Sequence, residues 1–459
     1  MGDTTNKAQY RIKSATISSD RWGSKKVDNI AEITLFEHID RPYVSGYMVM
    51  ADTTDFVDTV GSYGMSGTER LQLVCETTQN SGDEPQTPVS FTRNLVITGI
   101  ETSVKSAEVG SQSTVVFSLM DEWVIASQAR KLSRSFKHKK FLEKEIYALI
   151  SECGVGVKPK HLPSVQENIK GIIPYMHPLK AAEWIMRRLC TEKGMPFFMY
   201  STIWEDAVCL SSLDWHFQQA PFNKRAYHYA PATSDKIEYE SGIEAKSFNV
   251  KTMRASKQQN QFKMLSNAGT GVNYGVTNLN GTNEYPAHID FRHAHAMESR
   301  GKLSGAGVIK GQQNVYDESF SIKGVGPMHN PLVNNAQIHQ INSENIYTTD
   351  WKSYHYEQDW SLYKSKVHNN QILNMLWKNA YEVTVDGAQL FKNKKGVGDI
   401  VNIQIISDHT DLDNAPKKAD ELRSGHFLIL GTRHTLQTNV KHEVVLTVSK
   451  LNKGPNELG

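Results

Sequence analysis

LVITGIETSV at residues 95–104 and LILGTRHTL at residues 428–436 are the two stretches that decide the fold. Each is an apolar, strand-like segment that a single glycine, Gly99 or Gly431, interrupts before the segment continues in alternation. An isolated glycine inside a strand pattern indicates a bulge or a close approach of two backbones. The chain therefore carries a similar interrupted strand near both of its ends.

The sequences around these two stretches repeat as well. A second strand pattern follows each stretch, TVVFSL at 114–119 and VVLTV at 444–448. Another precedes each stretch, TERLQLV at 68–74 and GDIVNI at 398–403. This shared order of strand, glycine-interrupted strand and closing strand predicts one small β unit that is used twice.

The duplication makes a residue-level prediction. If the two units are copies, Gly99 superposes on Gly431 and Val104 superposes on Leu436. We also expect Gly431 to be required because the backbone there is strained. Two copies in one chain would let a trimer present six similar faces.

Composition excludes several classes of protein. The 459 residues are too many for one core and predict two to four domains. The chain is 39% hydrophobic and 22% charged, which is typical of an ordinary folded protein. A net charge of only +2 argues against a chain-wide polyanion binder, and the basic run at 130–140 is interpreted as a solvated approach to a helix.

Cysteine usage and the N-terminal sequence indicate the compartment. The four cysteines lie far apart, which favours buried free thiols in a reducing compartment over disulfides or a zinc site. The first residues are polar, and no apolar run approaches the roughly 18 residues of a membrane helix. We expect the protein to be made in a cytoplasm, without a membrane anchor.

The predicted fold class is mainly β with an α/β insert. A first β domain, either a small barrel or a sandwich, is predicted over residues 1–125, and a small α/β domain over 126–232. The second β domain is predicted to be discontinuous, beginning at 233–265 and ending with 379–459, around an inserted region at 266–378.

Local patterns place the elements of the middle of the chain. Helices are predicted at 122–129, 141–153 and 178–193, and paired strands at 197–200 and 207–210.

The inserted region has weaker patterns. Its first part, 266–283, is rich in Gly, Asn and Thr and is predicted to be a long loop or an extended arm. Residues 286–303 and 350–379 are predicted to be helices.

Several blocks together resemble the central baseplate hub proteins of contractile-tailed phages of the T-even type. The blocks that carry the resemblance are 30–37, RPYVSG at 41–46, MVMAD at 48–52, ERL at 69–71, SRSFK at 133–137, 143–150, 174–188, VGDIV at 397–401 and SGHFLI at 424–429. The same pattern occurs in late-control tail proteins and in the hub part of type VI secretion spikes. The resemblance covers about two thirds of the chain and leaves residues 266–380 unplaced.

The resemblance implies that the first and second β domains are tube-like β-barrels. It also implies a non-enzymatic structural role and no cofactor. It implies a homotrimer with pseudo-sixfold symmetry that joins a hexameric tail tube to a trimeric spike on a separate chain. The other implied partners are a tube-initiator protein, baseplate wedge proteins and the tape measure protein, with DNA only as cargo through a central channel. The implied location is the tail baseplate of the virion, assembled in the host cytoplasm.

Two alternatives to this role stay open. One is a type VI secretion hub adaptor, which keeps the same geometry. The other is a tail-associated peptidoglycan hydrolase, because Glu205 and Asp214 are spaced like the acid and partner carboxylate of phage-type lysozymes. Ala220 stands where that family has a threonine, and 207–210 has the pattern of a strand, so no catalytic residue is assigned.

Histidines form the densest cluster of potential metal ligands. They are His288, His293 and His295, with Asp290 and Glu298 nearby. On a helix, His288 and His295 share a face while His293 lies away from it. Because no His-Glu-x-x-His arrangement is present, the cluster is interpreted as a polar surface or a trimer contact, and no metal site is assigned.

Overall fold

A computed structural model of the chain describes most of the regions predicted to fold. The described residues are 10–52, 69–77, 89–105, 113–137, 143–161, 169–187, 196–229, 248–255, 271–278, 284–290, 337–342, 346–348, 373, 376–377, 380–405, 424–437 and 441–449. The fold is mainly β, which confirms the predicted fold class.

Strands dominate the described residues. In chain order they are β1 (Tyr10–Ser19), β2 (Gly23–Lys26), β3 (Ile30–His38), β4 (Ser45–Asp52), β5 (Arg70–Thr77), β6 (Ser90–Lys105), β7 (Ser113–Asp121), β8 (Ser135–Lys137), β9 (Gly156–His161), β10 (Ile169–Ile172), β11 (Phe197–Tyr200), β12 (Ala207–Ser212), β13 (Tyr227–Tyr229), β14 (Val250–Ala255), β15 (Gly271–Asn278), β16 (Glu284–Asp290), β17 (Gln337–Asn342), β18 (Ile346–Thr348), β19 (Ala380–Asp386), β20 (Ile400–Ile405), β21 (Gly425–Gln437) and β22 (Lys441–Ser449). The helices are α1 (Glu122–Gln128), α2 (Glu143–Ser151), α3 (Pro178–Met186), α4 (Leu213–Gln218) and α5 (Ala388–Lys392).

One large sheet contains strands from both ends of the chain. Its order is β14-β19-β22-β21-β3-β4-β7-β6-β5-β1-β2, and β20 and β13 extend from β21 as a branch. The branch forms because β21 is long: its first part pairs with β20 and its second part pairs with β3, while β22 lies along its other edge.

Two sets of six strands within this sheet have the same order. The first set, β1, β3, β4, β5, β6 and β7, is arranged as β3-β4-β7-β6-β5-β1. The second set, β13, β14, β19, β20, β21 and β22, is arranged as β14-β19-β22-β21-β20-β13. The two orders match strand for strand when each set is taken in chain order. The counterparts are β1 and β13, β3 and β14, β4 and β19, β5 and β20, β6 and β21, and β7 and β22. The sets differ at one end, where β1 is antiparallel to β5 but β13 is parallel to β20.

Bulges recur at the same places in the two sets. The register shifts before Gly99 in β6 and before Gly431 in β21, so the two ladders place these glycines at corresponding positions. The register also shifts between Ile30 and Glu32 in β3, and between Val250 and Thr252 in β14.

Two details of the prediction are wrong. A further bulge in β6, between Ile100 and Thr102, has no counterpart in β21, so the ladders match Val104 with Thr435 and not with Leu436. The backbone at Gly431 also has no left-handed φ, so strain is not the reason for glycine there. A Cβ on Gly431 would instead lie 3.3 Å from the backbone oxygen of Glu37.

Each strand set encloses its own hydrophobic core. In β5, alternation buries Leu71, Leu73 and Cys75, and they pack in one cluster with residues from every other strand of the first set. In β22, alternation buries Val444, Leu446 and Val448 in a separate cluster. Since strands from opposite ends of each six-strand order share one core, each strand set curls around its own interior.

The α/β unit between them has a third core. Helices α1, α2 and α3 lie within the segments predicted to be helical at 122–129, 141–153 and 178–193, and α2 and α3 contribute most of the buried helical residues of this core. Pro178 begins α3, and Gly154, with φ of +78°, follows the end of α2. The predicted pair at 197–200 and 207–210 is confirmed as antiparallel β11 and β12.

The predictions for the inserted region are partly wrong. β16 overlaps the first residues of the helix predicted at 286–303, and β15 lies inside the loop predicted at 266–283. The β-formers at every second position of β15 (Val272, Tyr274 and Val276) are an alternation that the Gly and Asn residues obscured. Of the helix predicted at 350–379, the described residues 373 and 376–377 are helical, and the other predicted positions before 380 lie outside the described residues.

Candidate functional site

Buried polar side chains occupy the place where the two strand sets meet the α/β unit. This junction, as we call it, is centred on Glu37 of β3, Arg93 of β6, Asp121 of β7, His216 of α4 and His434 of β21. All five are almost completely buried. Buried polar groups require partners, so their hydrogen bonds show which elements the junction holds together.

Glu37 connects all three parts. Its carboxylate accepts hydrogen bonds from the backbone N–H of Ile203 after β11, from Thr432 Oγ1 of β21 at 2.7 Å and from the N–H of Val397 before β20 at 3.4 Å. Burial raises the pKa of Glu37, and the hydrogen bonds only partly oppose that effect. Such an arrangement fixes the relative positions of the three elements that supply the donors.

Two histidines of the second strand set pack beside Glu37. His434 Nδ1 and His442 Nε2 lie 3.1 Å apart, and the rings stack with centroids 5.4 Å apart. His434 Nε2 is 3.9 Å from Glu37 Oε2. Burial lowers the pKa of His434 to about 4 and that of His442 to about 3, so both imidazoles are neutral at pH 7. The pair fills the junction as a hydrogen-bonded, uncharged unit.

Arg93 and Asp121 form a buried ion pair in the first strand set. The guanidinium Nε and Nη2 donate to the two carboxylate oxygens at 3.0 and 2.7 Å, and both side chains are fully buried. Nη2 also donates to Ser201 Oγ at 3.0 Å, and Nη1 donates to the backbone oxygen of Glu205. The Trp123 ring lies against the guanidinium, 5.0 Å away. Arg93 therefore ties β6 to the loop that joins β11 and β12.

His216 links the α/β unit to the second strand set. Its Nε2 is 2.6 Å from Ser211 Oγ, and its Nδ1 is 2.6 Å from the backbone oxygen of Gly398. The Ser–His contact resembles part of a catalytic triad, but Gly398 supplies a carbonyl where a triad has a carboxylate. Ser211 and His216 are both fully buried, so a substrate cannot reach the hydroxyl. Their role is to hold β12 and α4 against the turn before β20.

Glu205, the candidate general acid, is held as a carboxylate. Lys158 Nζ donates to it at 2.6 and 2.8 Å, and Lys160 Nζ at 3.0 Å. Burial alone would raise the pKa of Glu205, but the hydrogen bonds and charges of the two lysines outweigh burial and lower it. A general acid needs the opposite shift so that it keeps its proton near neutral pH. Asp214 lies in α4, and its side chain is outside the described residues.

The other predicted chemical features are only partly described. His288 lies in β16, and its side chain, together with His293, His295 and Glu298, is outside the described residues. Within the described ranges no three His, Cys, Asp or Glu side chains are placed to hold a metal ion. In the same ranges no helix is long and apolar enough to cross a membrane.

Three of the four cysteines test the thiol prediction. Cys75, Cys153 and Cys209 are free and buried, as predicted, and Cys190 is outside the described residues. Burial raises the pKa of each described thiol, to about 11 for Cys209, so they remain protonated.

The junction was not predicted from the sequence, although one of its residues, Arg93, could have been found from the alternation of its strand. Arg93 falls in the inward alternation of Phe91, Leu95 and Ile97, all of which are buried. A charged residue at an inward position of a strand requires a buried partner. The alternation identifies Arg93 as such a residue, but the identity of its partner depends on tertiary structure.

Comparison with known proteins gives structural similarities alone. No family model matches the chain, and no curated protein matches it. Among solved structures, it is similar to a tail protein from Neisseria meningitidis, with 10% identity, a TM-score of 0.49 and 96% of each chain covered. It is similar to the 43 kDa tail protein of prophage MuSo2 from Shewanella oneidensis, with 8% identity, a TM-score of 0.43, and 96% of this chain and 100% of that chain covered. It is also similar to a chain of the Francisella PdpA-VgrG complex, with 7% identity, a TM-score of 0.45, and 100% of this chain and 55% of that chain covered.

Proposed function

We propose that this chain is a structural protein, the central hub of a contractile-tail baseplate. In this proposal it forms a homotrimer that joins a hexameric tail tube to a trimeric spike. The observation that carries the proposal is the repetition of one six-strand order, with two matching bulges, in strand sets that share a single sheet. We infer that the two sets are copies of one unit.

The proposed mechanism is geometric. Three chains with two similar units each would form a ring of six similar units, and a closed cyclic arrangement satisfies every interface. One face of such a ring matches a sixfold tube. The α/β unit and the inserted region occur once per chain, so the face that they occupy would have the threefold symmetry of a spike.

The junction suits this role because a connector must keep its two units in a fixed relation. Glu37, Arg93 and His216 each bond to elements from different parts of the chain. Hydrogen bonds to buried charged groups are costly to break, so rotation of one unit against the other is opposed.

The proposed partners follow from the position of a hub. They are a separate spike chain, the tail tube or its initiator, wedge proteins and the tape measure protein, with DNA passing through the ring as cargo. The sequence motifs at 41–52 and 397–401, which resemble those of hub proteins, support this position. A hub adaptor of a type VI secretion system would use the same geometry in another setting.

Mass measurement of the purified chain, alone and with its spike, tests the proposal. We expect a trimer by light scattering after size-exclusion chromatography, or a poorly soluble monomer that becomes trimeric when the spike is added. Electron-microscope class averages should show a ring with six density maxima. A soluble monomer at micromolar concentration that does not respond to the spike would contradict the proposal.

A further inference from the structure

We propose that neighbouring chains of the ring are joined by antiparallel pairing of β14 of one chain with the second part of β6 of the next. This inference rests on the trimer of the proposed function and names the surface that builds it. The occupant of each exposed edge is a second copy of this chain.

The contact between the two strand sets inside one chain is the template. The second part of β21 pairs with β3 over seven residues, from Gly431 opposite His38 to Gln437 opposite Glu32. In the middle of that contact, Thr34 Oγ1 lies 3.4 Å from Thr435 Oγ1. By the shared strand order, β6 is the counterpart of β21 and β14 is the counterpart of β3.

Both counterparts have the edge that this contact requires. The first part of β6, Ser90–Val96, pairs with β5, as the first part of β21 pairs with β20. From Gly99 to Lys105, β6 pairs with β7 along one edge, and no described strand pairs with the other edge. β14 pairs with β19 along one edge, and within the described residues its other edge has only the bridge from Asn249 to His228.

Corresponding residues of the two strand sets differ in solvent exposure, as the proposed contact requires. Ile100 of β6 is 38% exposed, although its counterpart Thr432 is only 4% exposed beneath β3. Thr34 of β3 is fully buried against β21, whereas its counterpart Arg254 of β14 is exposed. The contact between the strand sets buries Thr432 and Thr34, whereas their counterparts Ile100 and Arg254 are exposed to solvent in the single chain. Ile100 is a large apolar side chain, which favours burial by a neighbouring chain.

The ladders also give the register of the proposed contact. Each residue of the β21–β3 ladder has a counterpart in β6 or β14 when the bulges are aligned. Replacing each residue by its counterpart places Ser103 opposite Ala255, Val104 opposite Arg254 and Lys105 opposite Met253. The pair Val104 and Arg254 corresponds to Thr435 and Thr34, whose side chains touch. Cysteines at these two positions are therefore expected to reach each other across the interface.

Disulfide trapping tests this register in the full chain. The variant with Val104→Cys and Arg254→Cys should form covalent trimers on mild oxidation, because each chain then has both halves of the interface. An equal mixture of the two single variants should stop at covalent dimers, and each single variant alone should give none. Val104→Cys with Lys251→Cys is the off-register control, and the unsubstituted chain controls for the native thiols.

A matched pair of surface variants provides the second test. Ile100→Asp should weaken trimer formation by about tenfold or more, because the apolar contact would be lost and the new carboxylate would lose its hydration beneath the neighbouring chain. Ile125→Asp in α1 should leave it unchanged, although Ile125 is also 38% exposed. Trimers that persist without cross-linking and resist Ile100→Asp would overturn this inference and leave the proposed hub intact. Failure of the unsubstituted chain to form trimers, with or without spike, would overturn both.

Discussion

Single buried side chains orient the parts of this molecule. Arg93 shows how, because one guanidinium bonds to Asp121 in its own strand set and to Ser201 in the α/β unit. Burial raises the pKa of Asp121 to about 6, and the nearby Arg93 opposes that effect. Each ion is therefore tolerated because the other is present, and the pair contributes orientation more than net stability.

A double-mutant cycle at this pair measures the effect. Arg93→Met should lower the free energy of unfolding by about 3–5 kcal/mol, because it leaves the Asp121 carboxylate buried without its partner. Adding Asp121→Leu should recover part of that loss, since no charge then remains to be desolvated. Urea denaturation followed by circular dichroism measures both, with Lys26→Met at the exposed ion pair of Lys26 and Asp28 as the control. Additive losses in the double variant would contradict the buried-pair interpretation.

At the scale of elements, strand pairing decides the architecture. The glycine-interrupted strands and their closing strands were predictable because alternation and glycine are local signals. β16 was mistaken for a helix although Tyr285, Ala287 and Ile289 alternate along it, because Pro286 interrupts the strand pattern and the ladder to β15 is a tertiary contact. The pairing of β3 with β21 was not predicted for the same reason, since it joins residues about 400 positions apart.

The close approach of β3 to β21 gives a prediction at Gly431. Gly431→Val should destabilise the fold by about 1–3 kcal/mol, because the added side chain has backbone of β3 at 3.3 Å from its first carbon. Gly99→Val is the matched control, since a Cβ on Gly99 meets nothing within 4 Å in the single chain. Denaturation at concentrations where the chain is monomeric compares the two. Equal losses would show that the glycines serve the bulge itself and not the contact.

At the scale of the whole molecule, the two classes of function differ in what they require of the same side chains. A hub requires surfaces in fixed relation, and the described titratable groups of the junction are buried with partners that hold them in place. A hydrolase requires an accessible proton donor beside a substrate cleft. Glu205 is the residue on which these requirements conflict, because it is partly exposed but ion-paired.

Glu205→Gln therefore distinguishes the hub hypothesis from the hydrolase hypothesis. In the hub, the amide can still accept a hydrogen bond from a lysine, so trimer formation should persist and stability should fall by about 1 kcal/mol or less. In a hydrolase, loss of the proton donor should lower the rate of wall cleavage by roughly two to four powers of ten.

Turbidity of purified peptidoglycan, with the unsubstituted chain and Glu183→Gln as controls, measures cleavage, and light scattering measures assembly. We expect no clearing by any of the three proteins and unchanged trimers in all of them. Clearing by the unsubstituted chain that disappears only in Glu205→Gln would replace the hub with an enzyme, since no structural role of this carboxylate predicts that result.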